Sequence, residues 1–297
     1  MPSLTVVGFL QSGKKHSARF SNGTTLFVGS EVPFQSGIGL FQKNLSAIKH
    51  IGVYAPTAYV PRHGNFAHFI WPTIKAESSG YFGRLNSYDR AAFTFGATQL
   101  AAHTPETNLI LLFRRLLALP SAPDYFPELS LVGGKVTLAT PAGAKLNLEQ
   151  VVPVTLASGK KEKQLRKFMD YLNPDSSKID NAEVSAAARL MLWTKNEPAA
   201  RDAQVEILVE RVKQLIGHAK AKVPLFDGKD WHIALWIVDI LYQGRGTFTA
   251  INAAMKSPSP LTKLSQIGCA TYKGRCATIK AEIAALDTSG VLNGFEV

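Results

Sequence analysis

Acidic side chains stand among aromatics and hydroxyls in one stretch of this chain, Ile74–Gln99, IKAESSGYFGRLNSYDRAAFTFGATQ. Glu77 closes an aromatic- and Ile-rich, helix-like run directly before Ser78-Ser79-Gly80, and Asp89 follows twelve residues later. A carboxyl at the end of an apolar helix is placed to be partly buried. Burial raises its pKa, so it can deliver a proton to a departing oxygen. Cleavage of a glycosidic bond with inversion needs a second carboxylate to activate water, about 6.5–9.5 Å from the first. Asp89 is the nearest acid, and two strand-like arms joined by a turn would bring it opposite Glu77. Each residue also has a plainer reading. Glu77 fits an exposed acid at a helix C-terminus, and Asn-Ser-Tyr-Asp fits a turn or helix cap.

Glu77-Ser78-Ser79-Gly80 and, some twenty residues on, Gly96-Ala97-Thr98-Gln99 resemble two blocks of the lysozyme-like superfamily. There, in goose-type lysozymes and lytic transglycosylases, a catalytic Glu opens Glu-Ser-x-Gly and a strand ends in Gly-x-x-Gln. Thr94-Phe95-Gly96 is similar to the Thr-Ile-Gly of phage lysozymes, whose Thr lies beside the attacking water. The resemblance covers about 30 of 297 residues. It implies that Glu77 is the general acid, that Asp89 or Thr94 positions or activates water, and that Gln99 lines the sugar site. Ser79, Tyr88 and His103 are further candidate substrate contacts, although His103 also fits a residue that simply precedes the cap of the next helix. Leu100-Ala101-Ala102-His103 stands where goose-type enzymes often carry another Asp, which leaves Asp89 as the only nearby base. A transglycosylase-like reaction needs only the Glu. Chitosanases share the superfamily and its bilobal, helix-rich form. The implied fold is α+β and mostly α, with a small β-containing lobe and a helical lobe.

The second chemical candidate is DWHIALWIVDILYQGRGT, Asp230–Thr247. On a helix, His232, Trp236, Asp239 and Gln243 share a stripe, with Ile233, Ile237 and Ile240 inward. Indole, carboxylate and amide on one face suit sugar binding. Asp239, Tyr242 and Gln243 are the cleft candidates, and Arg245 between two glycines could reach a carboxylate or phosphate. The alternative is that Trp231 and Trp236 are core and that Asp239 pairs with Arg245 or another base.

The elements that must hold these residues follow from periodicity. Residues 1–60 form an irregular or strand-rich segment, with LTVVGFL, TTLFVGS and IGVYAP as short apolar runs. GNFAHFIWPTIKAESS is helical, kinked or restarted at Pro72. HTPETNLILLFRRLLAL is a helix with Thr104 as N-cap, Pro105 in the first turn, and Leu109, Leu112, Phe113 and Leu116 buried. LSLVGGKVTLAT is a hairpin around Gly133-Gly134. From about Lys160 the chain is helical, starting with the basic run Lys160–Lys167, read as a solvated helix start; Asp230 caps a later helix. The domains expected are an N-terminal segment, 1–60, packed on a catalytic domain, 61–297, with an α+β lobe at 61–150 and a helical lobe at 151–297.

Lys and Arg number 33 against 22 Asp and Glu, a net charge of +11. The excess favours a polyanionic partner such as an acidic cell-wall polymer. No phosphate-cradling Gly loop, zinc-ligand spacing, Gly-x-Ser-x-Gly elbow or nucleic-acid recognition motif is present, so neither metal nor cofactor is expected, nor a specific nucleic acid. No apolar run is long enough to predict membrane insertion. MPSLTVVGFLQSGKKH lacks a basic n-region, which predicts cytoplasmic synthesis without a signal peptide and delivery to the periplasm or wall by a phage or secretion machine. An immunity or delivery protein is a candidate partner, and a monomer is expected. Cys269 and Cys276 lie seven apart, about 10 Å along a continuous helix. That favours two free thiols, while Gly274 leaves a small disulfide loop open. The functions expected are a muramidase, a chitosanase-like hydrolase, or a wall-polymer or partner-binding protein that keeps the scaffold without the chemistry.

Overall fold

The computed structural model describes residues 4–35, 37–156 and 158–297; the first three residues of the N-terminal stretch read above for a leader lie outside them. The described chain is α+β, with 45% helix and 19% strand. It divides into two compact units whose boundaries differ from the expected 1–60, 61–150 and 151–297. The first comprises residues up to Val53 and Tyr81–Gln204; the second comprises Tyr54–Gly80 and Val205–Val297.

The first unit is built on an antiparallel meander. β1 (Val6–Ser12), β2 (Lys15–Phe20), β3 (Thr25–Phe34) and β4 (Gly37–Phe41) are continued by the two-residue strands β5 (Leu85–Asn86), β6 (Thr94–Phe95) and β7 (Leu100–Ala101). Alternation places Ala18, Phe20, Leu26 and Val28 on the covered face, where α7 (Asn181–Asn196) packs across β1, β2 and β3. IGVYAP is not a strand; it contributes only an isolated bridge, Val53 to Tyr81. α4 (Leu109–Leu117) buries Leu109, Leu112, Phe113 and Leu116 as expected. It begins later than Thr104-Pro105 predicts, because Glu106 and Asn108 take positive φ (62° and 60°). Glu106 is drawn instead to Arg114 and Lys135, at 2.8 and 2.6 Å. After the short α5 (Ala122–Tyr125), β8 (Leu129–Val132) and β9 (Lys135–Ala139) form the expected hairpin, with Gly133 and Gly134 at φ 58° and 74°, and β10 (Lys145–Asn147) adds to it.

The basic run at Lys160–Lys167 corrects a second expectation. It is a strand before it is a helix: β11 (Val152–Thr155) pairs with β12 (Lys161–Gln164), and α6 starts only at Arg166 and ends at Leu172. Lys161 and Lys163 alternate with Glu162 and Gln164, the period of a strand, and Glu162 meets Arg90 at 2.8 Å. The core closes around Phe113, Phe126, Phe168 and Trp193, with ring centroids 5.0–6.0 Å apart in tilted and edge contacts.

The second unit is helical among the described residues. α1 (Pro56–His63), which periodicity did not reveal, precedes α2 (Phe66–Phe69) and α3 (Trp71–Ser78); the restart at Pro72 is as expected. The remainder of α8 (Pro198–Lys222), α9 (Trp231–Gln243), α10 (Phe248–Met255), α11 (Pro260–Leu264) and α12 (Lys273–Ser289) complete it. Residues 54–80 belong here because α3 packs along α12, with Trp71 donating to Glu282 at 2.6 Å.

One buried acid in the first unit makes stability depend on pH. Glu183, in the first turn of α7 behind its Asp180 cap, is 0% exposed. Its Oε1 accepts a short hydrogen bond from Ser87 Oγ, while Oε2 is buried without a partner. Burial pushes this carboxyl up to about 8. The folded state therefore holds a proton that the unfolded chain releases from pH 4.5 upward. This contribution is complete below pH 4.5 and is lost as pH rises towards 8, a cost on the order of a few kcal/mol. Urea unfolding at pH 5 and pH 9 checks it: the wild-type midpoint falls with pH, and Glu183→Gln removes most of that fall.

Candidate functional site

α9 is almost entirely apolar, and its ends are well defined. Asp230 caps it by accepting from the His232 and Ile233 N–H groups, and Gly244 closes it at φ 68°. Trp231, Trp236, Ile237 and Ile240 are all buried. The expected division into a packed Ile stripe and a sugar-facing Trp stripe is therefore not what forms, because the helix is covered on both. His232 instead bridges Asp230 and Asp287, at 2.9 and 2.6 Å.

Within this apolar helix Asp239 is 0% exposed. A carboxylate there must be neutralised. Arg245, just past the helix, donates from Nε and Nη2 to Oδ2 at 3.1 and 2.9 Å. Arg275, in the first turn of α12, donates from Nε and Nη2 to Oδ1 at 2.9 and 2.7 Å. The alternative reading, in which Asp239 pairs with Arg245, is the one the structure bears out, with Arg275 as a second partner.

The third nitrogen of the Arg275 guanidinium, Nη1, reaches Glu77. Nη1 lies 2.5 Å from Oε1 of that residue, the next-to-last of α3. The chain Glu77–Arg275–Asp239–Arg245 links two carboxyl groups through two guanidiniums. Burial pushes the Glu77 carboxyl above its ordinary value. Arg275 opposes this, and the Asp239 charge adds to it. For Arg275 burial works against the charge, but Glu77 and Asp239 outweigh it and push the guanidinium up. The Tyr242 phenol is pushed up by burial and then by Glu77. Four sequence candidates, Glu77, Asp239, Tyr242 and Arg245, thus act on one another electrostatically. The Glu77 side chain keeps 17% of its surface exposed, and Gln243 is the last residue of α9, half-buried.

Arg275 was not among the sequence candidates. Its only signal was its place before Cys276, and the cysteines carry another correction. They are not free thiols but a disulfide, with Cα atoms 5.8 Å apart. The seven-residue spacing is not two helical turns, because α12 begins at Lys273, between the cysteines. Turns before it bring Cys269 back over Cys276.

The remaining candidates lie in the first unit, except Ser79. Ser79 ends α3 in the left-handed region, φ 59°, its N–H on the Lys75 carbonyl. Asp89 organises its own turn: Oδ2 accepts from Asn86 Nδ2 and Oδ1 from the Ala91 N–H, both at 2.9 Å. Tyr88 packs on Phe34 and Phe41. Thr94 is buried in β6 between Asn86 and Ala101. Gln99, expected to line a sugar site, uses Nε2 to hold the Gly96 carbonyl at 2.9 Å and the Arg84 carbonyl at 3.4 Å. His103 contacts Arg90 at 3.3 Å, and burial, with Arg90 next, lowers its pKa. Glu77 belongs to one compact unit, and Asp89, Thr94 and Gln99 to the other.

No family model, no curated protein and no solved structure matches this chain. Among the described residues no cluster of His, Cys, Asp or Glu could hold a metal ion, and no helix is long and apolar enough to cross a membrane.

The two acids differ in what they neutralise. Asp239→Ala leaves two buried guanidiniums facing each other and is expected to cost roughly 3–5 kcal/mol in urea unfolding. Asp89→Ala removes two hydrogen bonds of a half-buried turn and is expected to cost about 1–3 kcal/mol.

Proposed function

We propose that the chain is a glycosidase that cleaves the bond between N-acetylmuramic acid and N-acetylglucosamine in peptidoglycan, with Glu77 as proton donor. The observation that carries this is the state of the Glu77 carboxyl. It lies in the last turn of α3, is raised by burial, keeps part of its surface exposed, and is held by Arg275. A general acid needs this combination: a proton retained above the ordinary carboxylate range, and a fixed direction in which to give it. As Glu77 protonates the bridging oxygen, oxocarbenium-like charge develops at the anomeric carbon. A hydrated product needs a further group to activate water; if the sugar's own hydroxyl attacks, the product is an anhydro sugar and no such group is needed. A net charge of +11 favours adsorption to an acidic wall, and action on that polymer is placed in the periplasm or at the wall.

A second reading has its own support. Glu77 Oε1 is committed to Arg275, as a carboxylate would be in a scaffold that binds wall polymer or a protein partner without cutting it. The chitosanase-like alternative differs only in the polymer.

Digestion of purified peptidoglycan, and then of chitosan, with products read by mass spectrometry, separates these. Wild type is expected to release muropeptides, and Glu77→Gln to be slower by about 10²–10⁴-fold. Because Glu77 is raised, the alkaline limb of the wild-type pH profile is expected above the ordinary glutamate range. Absence of cleavage on both polymers by wild-type protein that still sediments with them would replace the enzyme by the binding protein.

A further inference from the structure

The two guanidiniums of the buried network both lie next to the disulfide, one by sequence and one by contact. Arg275 directly precedes Cys276. Arg245 donates from Nη1 to the Ile267 carbonyl, and the same nitrogen lies 3.9 Å from Cys269 Sγ. Gly268 takes φ 72°, and a Cβ there would meet the Arg245 carbonyl at 2.6 Å, so the chain entering Cys269 lies directly on the Arg245 backbone. Between the cysteines, Ala270, Thr271, Tyr272, Lys273 and Gly274 are all exposed. This connection is held by local backbone hydrogen bonds, Thr271 and Tyr272 to the Gly268 carbonyl and Cys276 to the Tyr272 carbonyl. Cys276 is buried and Cys269 half-buried. The sulfur–sulfur bond thus ties an exposed turn, and the first turn of α12 with it, to the floor of the site.

We propose that the Cys269–Cys276 disulfide is a redox latch on the carboxyl site: reduction by a small dithiol frees the start of α12, withdraws Arg275, and leaves Glu77 without the group that orients it. The functional consequence rests on Glu77 being the reacting carboxyl. In the chemical step the sulfur–sulfur bond breaks, two electrons and two protons pass from the dithiol to the cysteine pair, and the dithiol becomes its own cyclic disulfide. After release Asp239 keeps Arg245, whereas Glu77 keeps no cation. The charged group that still acts on it is Asp239 of α9, while the neighbouring Tyr242 phenol is itself acted on by Glu77, Asp239 and Arg211 of α8. Burial and Asp239 then raise the Glu77 carboxyl unopposed, so the reduced form holds its proton to higher pH than the oxidised form. Arg275 is on this account a positioning residue, not a catalytic one.

The experiment is a carboxyl-carbon NMR titration of the full chain labelled at glutamate, with Glu77 assigned by its absence in Glu77→Gln. Spectra are taken oxidised, after dithiothreitol, and after reoxidation, and wall-polymer cleavage is followed on the same samples. The Glu77 titration is expected to move to higher pH on reduction and to return on reoxidation. Cleavage is expected to fall roughly a hundredfold, the scale on which a small misplacement acts, mainly in kcat rather than KM. The double variant Cys269→Ser with Cys276→Ser is expected to reproduce the reduced state without added thiol. An unchanged Glu77 titration in a reduced sample whose thiols have been counted overturns the latch, whatever the activity. A reversible Glu77 shift in protein that cuts neither peptidoglycan nor chitosan upholds the latch and removes the glycosidase.

Discussion

A single carboxylate in an apolar helix governs the second unit. Asp239 sits in α9, among tryptophan, isoleucine and leucine, with no surface exposed. An uncompensated charge there would cost several kcal/mol. Two guanidiniums meet it, one per oxygen, and each has a consequence for the chain that carries it. Arg245 must turn back immediately after α9, which Gly244 allows at φ 68°. Arg275 must arrive from the start of α12, which fixes the turn between the cysteines. Its Nη1 holds Glu77 and so ties α3 to the same centre. The buried charge organises three helices where apolar packing alone would leave their register loose.

The first unit solves a different problem by similar means. Residues 82–102 carry only two-residue strands, too little ladder to satisfy their backbone. Buried side-chain amides fill in. Gln42 accepts from the Leu85 N–H and donates to the Val28 carbonyl, at 2.5 and 2.7 Å. Gln204 accepts from the Ala97 N–H at 2.9 Å, and Asn173 donates to the Ala92 carbonyl at 2.9 Å. Ser87 is gripped by the Leu40 N–H and by Glu183. The turn that presents Asp89 and the strand that holds Thr94 are thereby fixed from behind. Gly96 takes φ 92° against Gln204, so the Gly-x-x-Gln block has a structural cause of its own in this chain: it closes a turn.

The two sites therefore place charge differently. Both oxygens of Asp239 are answered by a guanidinium. Around Ser87 the groups are neutral, and the one acid, Glu183, is held protonated by burial. The Glu77 carboxyl stands between these extremes: raised by burial, opposed by one cation, and not fully covered.

Much of this was legible in the sequence. Apolar repeats at helical spacing marked α4 and α9, because burial of one face sets that spacing where a helix packs, and α7, α8 and α12 fall in the stretch after Lys160 read as helical. Gly133-Gly134 marked its hairpin and Asp230 its cap, since those features depend on neighbours only a few residues away. Glu77, Asp239, Tyr242 and Arg245 could be singled out as chemically unusual. What the linear chain did not contain was decided by distance. Lys161–Gln164 became a strand only because Val152–Thr155 was there to pair with it. Residues 54–80 joined the C-terminal helices because Trp71 found Glu282. The cysteines closed a disulfide because α12 starts between them. Arg275 acquired its place only when a charge 36 residues earlier and another 198 residues earlier were folded onto it. Local propensity determines which residues are suited to a role. Which buried charge meets which is settled by packing, since an ion pair is worth having only once water has been removed from both partners.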